Sequence, residues 1–472
     1  MKVLRAKSSW FKDRDVRLDA SFHLSDGRIT KVKLDKCPYS ISRLEDITNG
    51  IFNGARFKRY YVEDFDKGIP FMGSSDMLKA NLNGLKLLSK KLSKNLSDLF
   101  IKKNWILVSC SGTIGNTVFT NDDFAGKTAS QHIMRIVPNE DEIKPGYLYS
   151  YLSSKYGYAL LTQGTYGAVI QHIEPQHIVD LPIPMLPQPK QQEIHSLIES
   201  ASDLRVEANK LLIKSQFILK ENAVLKDLSN EDYEYFGTHS ADRNISFFKR
   251  NIREISALSI NAFNYSKRIE SLENKVKNGN WKSLVDCLDE NCFFSTGSFK
   301  RLELDSSTAI KLINQSDIFD IKKQGKKIAK SFVKADNLVE YGEVLIAGVG
   351  TLGENETFCR AIFANEELEG QLIAGEFIRM KTNNEIPSGY LYCWLSTDYG
   401  FRFIRRTQTG TKLCRPIQEL LKRIPVPILD DELMLEIDIA VKQAHTWQYE
   451  ALNKEIQAIS IVEKEIESWQ ES

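Results

Sequence analysis

What this sequence has little of narrows it first. Cysteine is sparse and unpaired, seven residues with no CxxC doublet, and an odd count of that kind fits reduced thiols in a cytoplasm rather than a disulfide framework. Cys287 and Cys292 have no further Cys or His nearby to complete a zinc set. No window approaches about eighteen uninterrupted apolar residues, which excludes a membrane-spanning helix of ordinary length. The opening Met1-Lys-Val-Leu-Arg-Ala-Lys7 has no apolar core for a signal peptide. An excess of either charge is missing too: 63 Lys and Arg stand against 62 Asp and Glu, a net charge of +1. A globally basic body is therefore excluded, and any nucleic-acid binding has to come from local patches or from basic partners. No Asn-Pro-Pro-Tyr type methyltransferase signature is present.

What the sequence does contain is one module written twice. Gly146-Tyr-Leu-Tyr-Ser-Tyr-Leu-Ser-Ser-Lys-Tyr-Gly157 returns as Gly389-Tyr-Leu-Tyr-Cys-Trp-Leu-Ser-Thr-Asp-Tyr-Gly400, and the same offset places Leu181-Pro-Ile-Pro184 on Ile424-Pro-Val-Pro427 and Glu193-Ile194 on Glu436-Ile437. Upstream, Ile106-Leu-Val-Ser-Cys-Ser-Gly-Thr-Ile-Gly115 matches Val344-Leu-Ile-Ala-Gly-Val-Gly-Thr-Leu-Gly353. Phe57-Lys-Arg59 pairs with Phe299-Lys-Arg301, the stretch Gly68 to Asp76 with Ala309 to Asp317, and Leu18 to Phe22 with Ser259 to Phe263. Repetition on this scale decides the architecture before any single element is assigned.

Each module ends on a long helical stretch. From Lys190 to Leu228, apolar or small residues at Ile194, Leu197, Ala201, Leu204, Ala208, Leu211, Ser215, Ile218 and Leu225 alternate in steps of three and four, as a coiled-coil seam requires. From Asp431 to Trp469 the equivalent stripe is Ile437, Ala440, Ala444, Trp447, Ala451, Ile456, Ile459, Val462 and Ile466, so each stretch can bury the other's face. Asn222 either fixes register within the seam or marks a fraying helix end. Within each module, Lys58 to Val62, Ile69 to Met72, His132 to Val137 and Phe377 to Met380 read as strands, and the Gly-Tyr-Leu-Tyr segment as a short helix. Lys86 to Lys94, continuing to Lys102-Lys103, and its counterpart Lys322 to Lys330 read as basic helices, and Pro182 and Pro425 as the stops of the modules. Ser229 to Ser240, acidic and polar, reads as a linker. The fold class expected is α+β: two tandem mixed α/β domains separated by two long antiparallel coiled-coil helices. The boundaries are 1–188, the central helix 189–228, linker and second domain 229–429, and the last helix 430–472.

Several catalytic motifs fail on context. Gly348-Val-Gly-Thr-Leu-Gly353 is a literal GxGxxG after an apolar strand, but Glu354 to Phe363 lacks the amphipathic pattern of the helix a dinucleotide needs. A tight turn between strands, with glycine supplying positive φ, is the simpler reading. Asn121 to Thr128 nearly matches a phosphate-binding loop, with Asn121 in place of the first glycine and a strand pattern after it. His172 and His177 are spaced one residue too far for a metalloprotease pair, and Pro175 breaks the helix between them.

Both modules instead carry basic residues beside aromatics and hydroxyls, which suits phosphate contact by Lys and Arg with base reading by polar side chains. The Gly68-Ile-Pro-Phe to Asp76 element, the Ser111-Gly-Thr-Ile-Gly115 turn, the Leu181-Pro-Ile-Pro184 run leading through Gln192-Glu-Ile194 into a long helix, and the tandem layout resemble the specificity subunit of type I restriction-modification systems. Module two departs from the pattern with Ala309-Ile-Lys-Leu312 and Asp430-Asp-Glu-Leu433. The resemblance implies two target-recognition domains, each reading half of a bipartite site in double-stranded DNA, held apart by antiparallel helices that dock two methyltransferase subunits and, in some systems, restriction subunits. On this reading the chain is not an enzyme and holds no cofactor or metal; S-adenosylmethionine, and ATP with magnesium, belong to the partners. Lys58, Arg59, Lys86, Lys90 and Lys91 contact phosphate in one half-site and Lys300, Arg301, Lys322, Lys326 and Lys327 in the other, with Thr113 and Thr351 as backbone contacts. Two alternatives stay open, a nucleotide-dependent enzyme using the Gly348–Gly353 turn and a coiled-coil scaffold without a DNA role.

Overall fold

The computed structural model describes residues 25–62, 64–93, 96–163, 172–228 and 249–470. Leu18 to Phe22 and the linker Ser229 to Ser240 lie outside the described residues. The chain divides into two compact units, Met1–Val206 with Glu450–Ser472, and Glu207–Tyr449.

In the first unit, helix α1 (Asp26–Leu34) starts on Ser25, whose hydroxyl accepts from the Arg28 N–H. Strands follow as β1 (Ile41–Arg43), β2 (Thr48–Asn53), β3 (Tyr61–Val62), β4 (Gly68–Met72), β5 (Lys86–Ser89), β6 (Ile106–Ser109), β7 (Thr117–Phe119), β8 (Thr128–Ala129) and β9 (Ile133–Pro138). They form two four-stranded sheets, in the orders β2-β9-β6-β7 and β3-β5-β4-β8. Every pairing is antiparallel except β4 with β8. Helices α2 (Pro145–Ser153) and α3 (Lys155–Gln163) come next, then β10 (Pro182–Pro184) and the long α4 (Gln188–Asn222).

Strand β6 is apolar without alternation because both of its faces are covered. Ile106 and Val108, with Met134 and Ile136 of β9, pack in one cluster with Tyr147, Leu148, Tyr151 and Leu152 of α2 and with Ile194 and Ile198 of α4. Leu107 is fully buried outside that cluster, and its ladder partner is Arg135.

The second unit repeats this plan with two edge strands fewer. Helix α5 (Lys267–Lys277) is capped by Ser266. The strands are β11 (Trp281–Ser283), β12 (Ala309–Ile313), β13 (Lys326–Ala329), β14 (Val344–Ala347), β15 (Ala361–Phe363), β16 (Leu372–Ile373) and β17 (Phe377–Met380). Then come α6 (Ser388–Ser396), α7 (Asp398–Arg406), the pair β18 (Gln408–Thr409) and β19 (Arg415–Pro416), α8 (Gln418–Leu421), β20 (Pro425–Pro427) and α9 (Asp431–Ser468). The sheet orders are β15-β14-β17 and β13-β12-β16, and β12 with β16 is again the parallel pair.

Four sequence expectations are corrected. The basic runs are not helices: Lys86–Ser89 and Lys326–Ala329 are strands, each hydrogen-bonded to the neighbouring β4 or β12. Their four residues gain ladder bonds and bury Leu87, Leu88 and Ile328, which an isolated short basic helix would leave in water. The proline runs do not merely stop the modules. Pro182–Pro184 and Pro425–Pro427 pair antiparallel with β1 and β11 in two-stranded ribbons, where a missing N–H is tolerated. The central helix ends at Asn222, short of Leu228. Val224 adopts φ +55° there, its N–H bonds Glu221 O at 3.0 Å, and the Leu225 N–H bonds Lys220 O at 2.8 Å, a Schellman termination with valine where glycine is usual. Asn222 is thus the exposed last residue and not a seam position.

The fourth correction concerns the glycine turn. None of Gly348, Gly350 and Gly353 has positive φ. Gly348 is required instead by close approach, since a Cβ there would sit 2.5 Å from Glu376 O. The positive-φ reading holds in module one, at Gly112 (+79°) and Gly115 (+82°).

The expected seam residues of the long helices are buried or half-buried, with one exception. Ile194, Ile437, Ala444 and Ile466 are buried, while Leu197, Leu204, Leu211, Ile218, Trp447 and Ile459 are half-buried. Ile456 is 52% exposed and lies off the buried stripe. Within the first unit the Arg205 guanidinium of α4 meets the buried Glu455 carboxylate of α9, and the Tyr149 hydroxyl of α2 donates to the same carboxylate.

Candidate nucleic-acid interface

The repeated Gly-Tyr-Leu-Tyr motif is scaffold. At the start of α2 the Gly146 N–H donates to His195 Nδ1 of α4 at 3.1 Å, and in α6 the Gly389 N–H donates to Asp438 Oδ1 of α9 at 2.8 Å. A Cβ at either glycine would lie 2.7 Å from the same acceptor atom. The Tyr147 hydroxyl donates to Pro184 O and Tyr390 to Pro427 O at 2.7 Å; the Tyr151 hydroxyl and the Trp394 indole N–H donate to Pro182 O and Pro425 O. These bonds fasten the body of each module to its proline strand and its long helix. Burial pushes the Tyr147, Tyr151 and Tyr390 phenols well up, so they stay neutral donors.

A second repeated residue ties the sheets to the loops. Arg135 of β9 is fully buried and donates to Ile133 O, Ala129 O and Ser130 O at 2.5, 2.5 and 2.9 Å. Burial lowers this guanidinium to about 10. Its counterpart Arg379 of β17 meets Glu343 through Nε (2.8 Å) and Nη2 (2.7 Å), and also donates to Leu338 O and Asn337 O at 2.7 and 3.1 Å. Arg135 thus holds the ends of β8 and β9 beside the turns of module one, and Arg379 holds the segment that leads into β14.

Three turns meet at one end of module one. The Ser130 N–H donates to Met72 O (2.9 Å) at the end of β4, and the Cys110 N–H donates to His132 O (3.0 Å), joining the β6–β7 turn to the β8–β9 link. Ser111 bridges His172 on a further segment. The side chains gathered here form a chain. Arg59 lies 5.0 Å over the Phe71 ring and donates through Nη2 to Gln131 Oε1 at 2.8 Å. With its oxygen so engaged, the Gln131 amide turns Nε2 toward His132 Nε2, 3.0 Å away. The imidazole then accepts at Nε2 and carries its proton on Nδ1. Burial, reinforced by Arg59, His172 and Arg56, lowers the His132 pKa below its ordinary value, consistent with the neutral ring this chain needs. Sequence reading picked Arg59 and missed Gln131 and His132, which belong to no recurring motif.

The other expected residues are scattered around these turns. Lys86 is exposed at the start of β5, opposite Phe71 in the ladder. Lys90 lies beyond the other end of that strand, about 13 Å along the chain from Lys86 at 3.3 Å per residue; its ammonium donates to Asp66 O at 2.9 Å. Lys91 is exposed beside it. Lys58 sits 5.1 Å over the Tyr60 ring. Thr113 is exposed at the tip of the β6–β7 turn and Thr351 in the equivalent β14–β15 loop.

In module two, Lys300 lies 5.1 Å over Phe332 and Arg301 lies 5.9 Å over Phe299. Lys322 is half-buried in the segment between β12 and β13. Lys326 and Lys327 are exposed but paired with Glu303 (2.5 Å) and Asp305 (2.6 Å). The Lys327 ammonium holds the Asp305 carboxyl below its ordinary range.

Two motifs weighed from the sequence lack the elements that their chemistry needs. Strand β14 returns through the glycine loop into the antiparallel β15, with no helix whose N-terminus could take a pyrophosphate. Asn121 caps a single 3-10 turn, Asp122–Phe124, that leads to β8. Among the described residues no group of three His, Cys, Asp or Glu side chains is placed to hold a metal, and no helix is long and apolar enough to cross a membrane.

Comparison with known proteins bears on this geometry. Residues 38–216 match the sequence model of the family described as the type I restriction modification DNA specificity domain. Over those residues the chain is similar to a type I DNA specificity domain. That match runs through module one from β1 and takes in most of α4. No curated protein matches the chain. Among solved structures, the S subunit of a type I restriction-modification system from M. genitalium is 15% identical, with 92% of this chain and 96% of that one covered and a TM-score of 0.37. The HsdS subunit from Thermoanaerobacter tengcongensis is 11% identical over 91% and 96%, TM-score 0.28. A chain from a study of complex assembly and conformational transition of the type I R-M system is 12% identical over 91% and 98%, TM-score 0.27.

Proposed function

We infer that the chain is the non-catalytic specificity subunit of a type I restriction-modification system, in which two modules each read one half of a bipartite site in double-stranded DNA. The observation that carries this is the recurrence, in the second unit, of the sheet orders, parallel pair and helix docking found in the matched specificity domain. A chain with one such domain reads one DNA segment; a chain with two copies of its frame reads two. The long helices α4 and α9, as an antiparallel pair, join the modules and dock two methyltransferase subunits, with restriction subunits joining in systems that cleave. S-adenosylmethionine, and ATP with magnesium, are held by those partners.

Phosphate contact falls to Lys58, Arg59, Lys86, Lys90 and Lys91 in one half-site. In the other it falls to Lys300, Arg301 and Lys322, with Lys326 and Lys327 exchanging Glu303 and Asp305 for phosphate oxygens; Thr113 and Thr351 touch the backbone from the turn tips. The test is co-expression with the methyltransferase subunits of its own system, followed by methylation sequencing of the host genome. The expected result is a single motif of two short defined segments separated by an unread spacer. Methylation at an uninterrupted motif, or none above the level without this chain, overturns the reading.

A further inference from the structure

The two modules keep one backbone frame at the meeting of their turns and change its side chains. In module one the Ser130 N–H donates to Met72 O and the Cys110 N–H to His132 O, at 2.9 and 3.0 Å; in module two the Ala374 N–H donates to Ile313 O and the Gly348 N–H to Glu376 O, both at 3.0 Å. The ladder pairings on either side agree, Met72 with Ala129 and Ile313 with Ile373, then Ile106 with Ile136 and Val344 with Met380. This equivalence puts Gln131-His132 on Gly375-Glu376. Module one offers an amide and an imidazole where module two offers an exposed carboxylate.

Chemistry gives that exchange a meaning. An amide presents a donor and an acceptor side by side and matches the N6 and N7 edge of adenine, whereas a carboxylate only accepts and matches exocyclic amino groups, as on cytosine N4. In module one the amide is also aimed, because Arg59, stacked on Phe71, fixes its oxygen and His132 takes its nitrogen. The Arg59 guanidinium thus stands beside a hydrogen-bonding tip, an arrangement that suits phosphate close to a base edge.

Resting on the reading of the chain as a specificity subunit, we propose that Gln131 and His132 read base edges in the first half-site, with Arg59 as their positioning residue, and that Glu376 is the corresponding reader in the second. A Gln-to-base pair of this kind discriminates by about 5- to 150-fold against a wrong base.

The experiment uses the full complex with its methyltransferase subunits and compares wild type, Gln131→Ala, Gln131→Glu and Glu376→Gln by methylation sequencing, with circular dichroism of each purified variant to confirm folding. Gln131→Ala is expected to relax one position of the first half-site, raising modification of sites with other bases there at least fivefold relative to the consensus. Gln131→Glu should shift preference at that same position, and Glu376→Gln should change one position of the second half-site alone. Folded variants that methylate the unaltered wild-type motif overturn the assignment while leaving the specificity-subunit reading intact. Change in both half-sites from a single substitution overturns it as well. If the wild-type complex itself shows no bipartite motif, the functional reading fails, and this assignment falls with it.

Discussion

Removing the carboxylate of Glu343 tests whether the buried arginine frame holds the second module together as its geometry implies. Glu343 and Arg379 have side chains only 1% exposed and meet through two hydrogen bonds of 2.7 and 2.8 Å. Deleting one partner of such a pair strands the other charge, at a cost of about 3–5 kcal/mol. The first module sets where in that range the loss falls. Trp105 stands there at the position of Glu343, immediately before β6, and Arg135 is held by backbone carbonyls. Arg379 keeps three such acceptors, Leu338 O, Asn337 O and Asp336 O, so Glu343→Ala should cost about 3 kcal/mol, the low end.

Native-state hydrogen exchange resolves this locally. Amides of β14 and β17 should exchange roughly 150-fold faster, the factor corresponding to about 3 kcal/mol. Amides of β6 and β9 in the other unit should be unchanged. Adding Arg379→Met should recover part of the loss, because the stranded charge is gone, but not all, because three carbonyls lose their donor. An acceleration below about tenfold in β14 and β17 refutes the reasoning, since a partnerless buried guanidinium cannot be that cheap.

Other perturbations probe other links. Arg59→Ala removes a cation that depresses His132, so its pKa, followed by NMR, should rise while staying below its ordinary value because burial, the larger cause, remains; no change would mean that the two groups do not interact. Replacing Lys86, Lys90 and Lys91 with alanine should weaken binding of cognate and unrelated DNA alike, and lower the slope of log affinity against log salt by about 0.9 for each phosphate left without its lysine; an unchanged slope counts against a phosphate role for these three. Val224→Gly should raise thermal stability, by up to about 1 kcal/mol, because Val224 is 89% exposed with φ +55°, a region costing L residues roughly 1–2 kcal/mol against glycine's smaller entropy penalty. A lower melting temperature would show that the Schellman turn is not strained.

The sequence made legible whatever is local or repeated. Ile106 to Ser109 and Val344 to Ala347 read as buried strands from continuous apolar residues, and the Gly-Tyr-Leu-Tyr helices were located by their recurrence. The basic runs misled because Leu87, Leu88 and Leu92 fit a helical stripe as well as a strand, and only the distant β4 decides between them. Pro182 and Pro425 hid strands for the same reason, since their partners β1 and β11 lie more than a hundred residues upstream. The helix end at Asn222 had no glycine to announce it. Arg135 and Arg379 did leave a signal, an arginine kept at the same place inside two apolar strands. Gln131 and His132 left only a difference, and a difference between repeats looks like drift until the backbone around it proves to be the same.

That contrast decides which kind of residue to expect at a reading site in a duplicated protein. Where both modules must fold alike, the same bond recurs with the same or a chemically equivalent donor: glycine N–H to a helix side chain, tyrosine or tryptophan to a proline-strand carbonyl, arginine to the carbonyl of Leu99 or Leu338. A bipartite reader cannot use such residues to distinguish its two half-sites, because they present the same groups twice. Distinction has to come from positions where the backbone frame is kept and the side chain differs between the modules. Gln131, His132 and Glu376 occupy such positions, since the main-chain bonds around them recur in both modules while the side chains differ. Substituting there changes what the turn presents without changing where the turn is. The lysines behave differently again: Lys326 and Lys327 are already paired with Glu303 and Asp305, so on the proposed phosphate role a DNA backbone would have to displace carboxylates in module two, and the electrostatic contribution there would be smaller than in module one for the same number of cations.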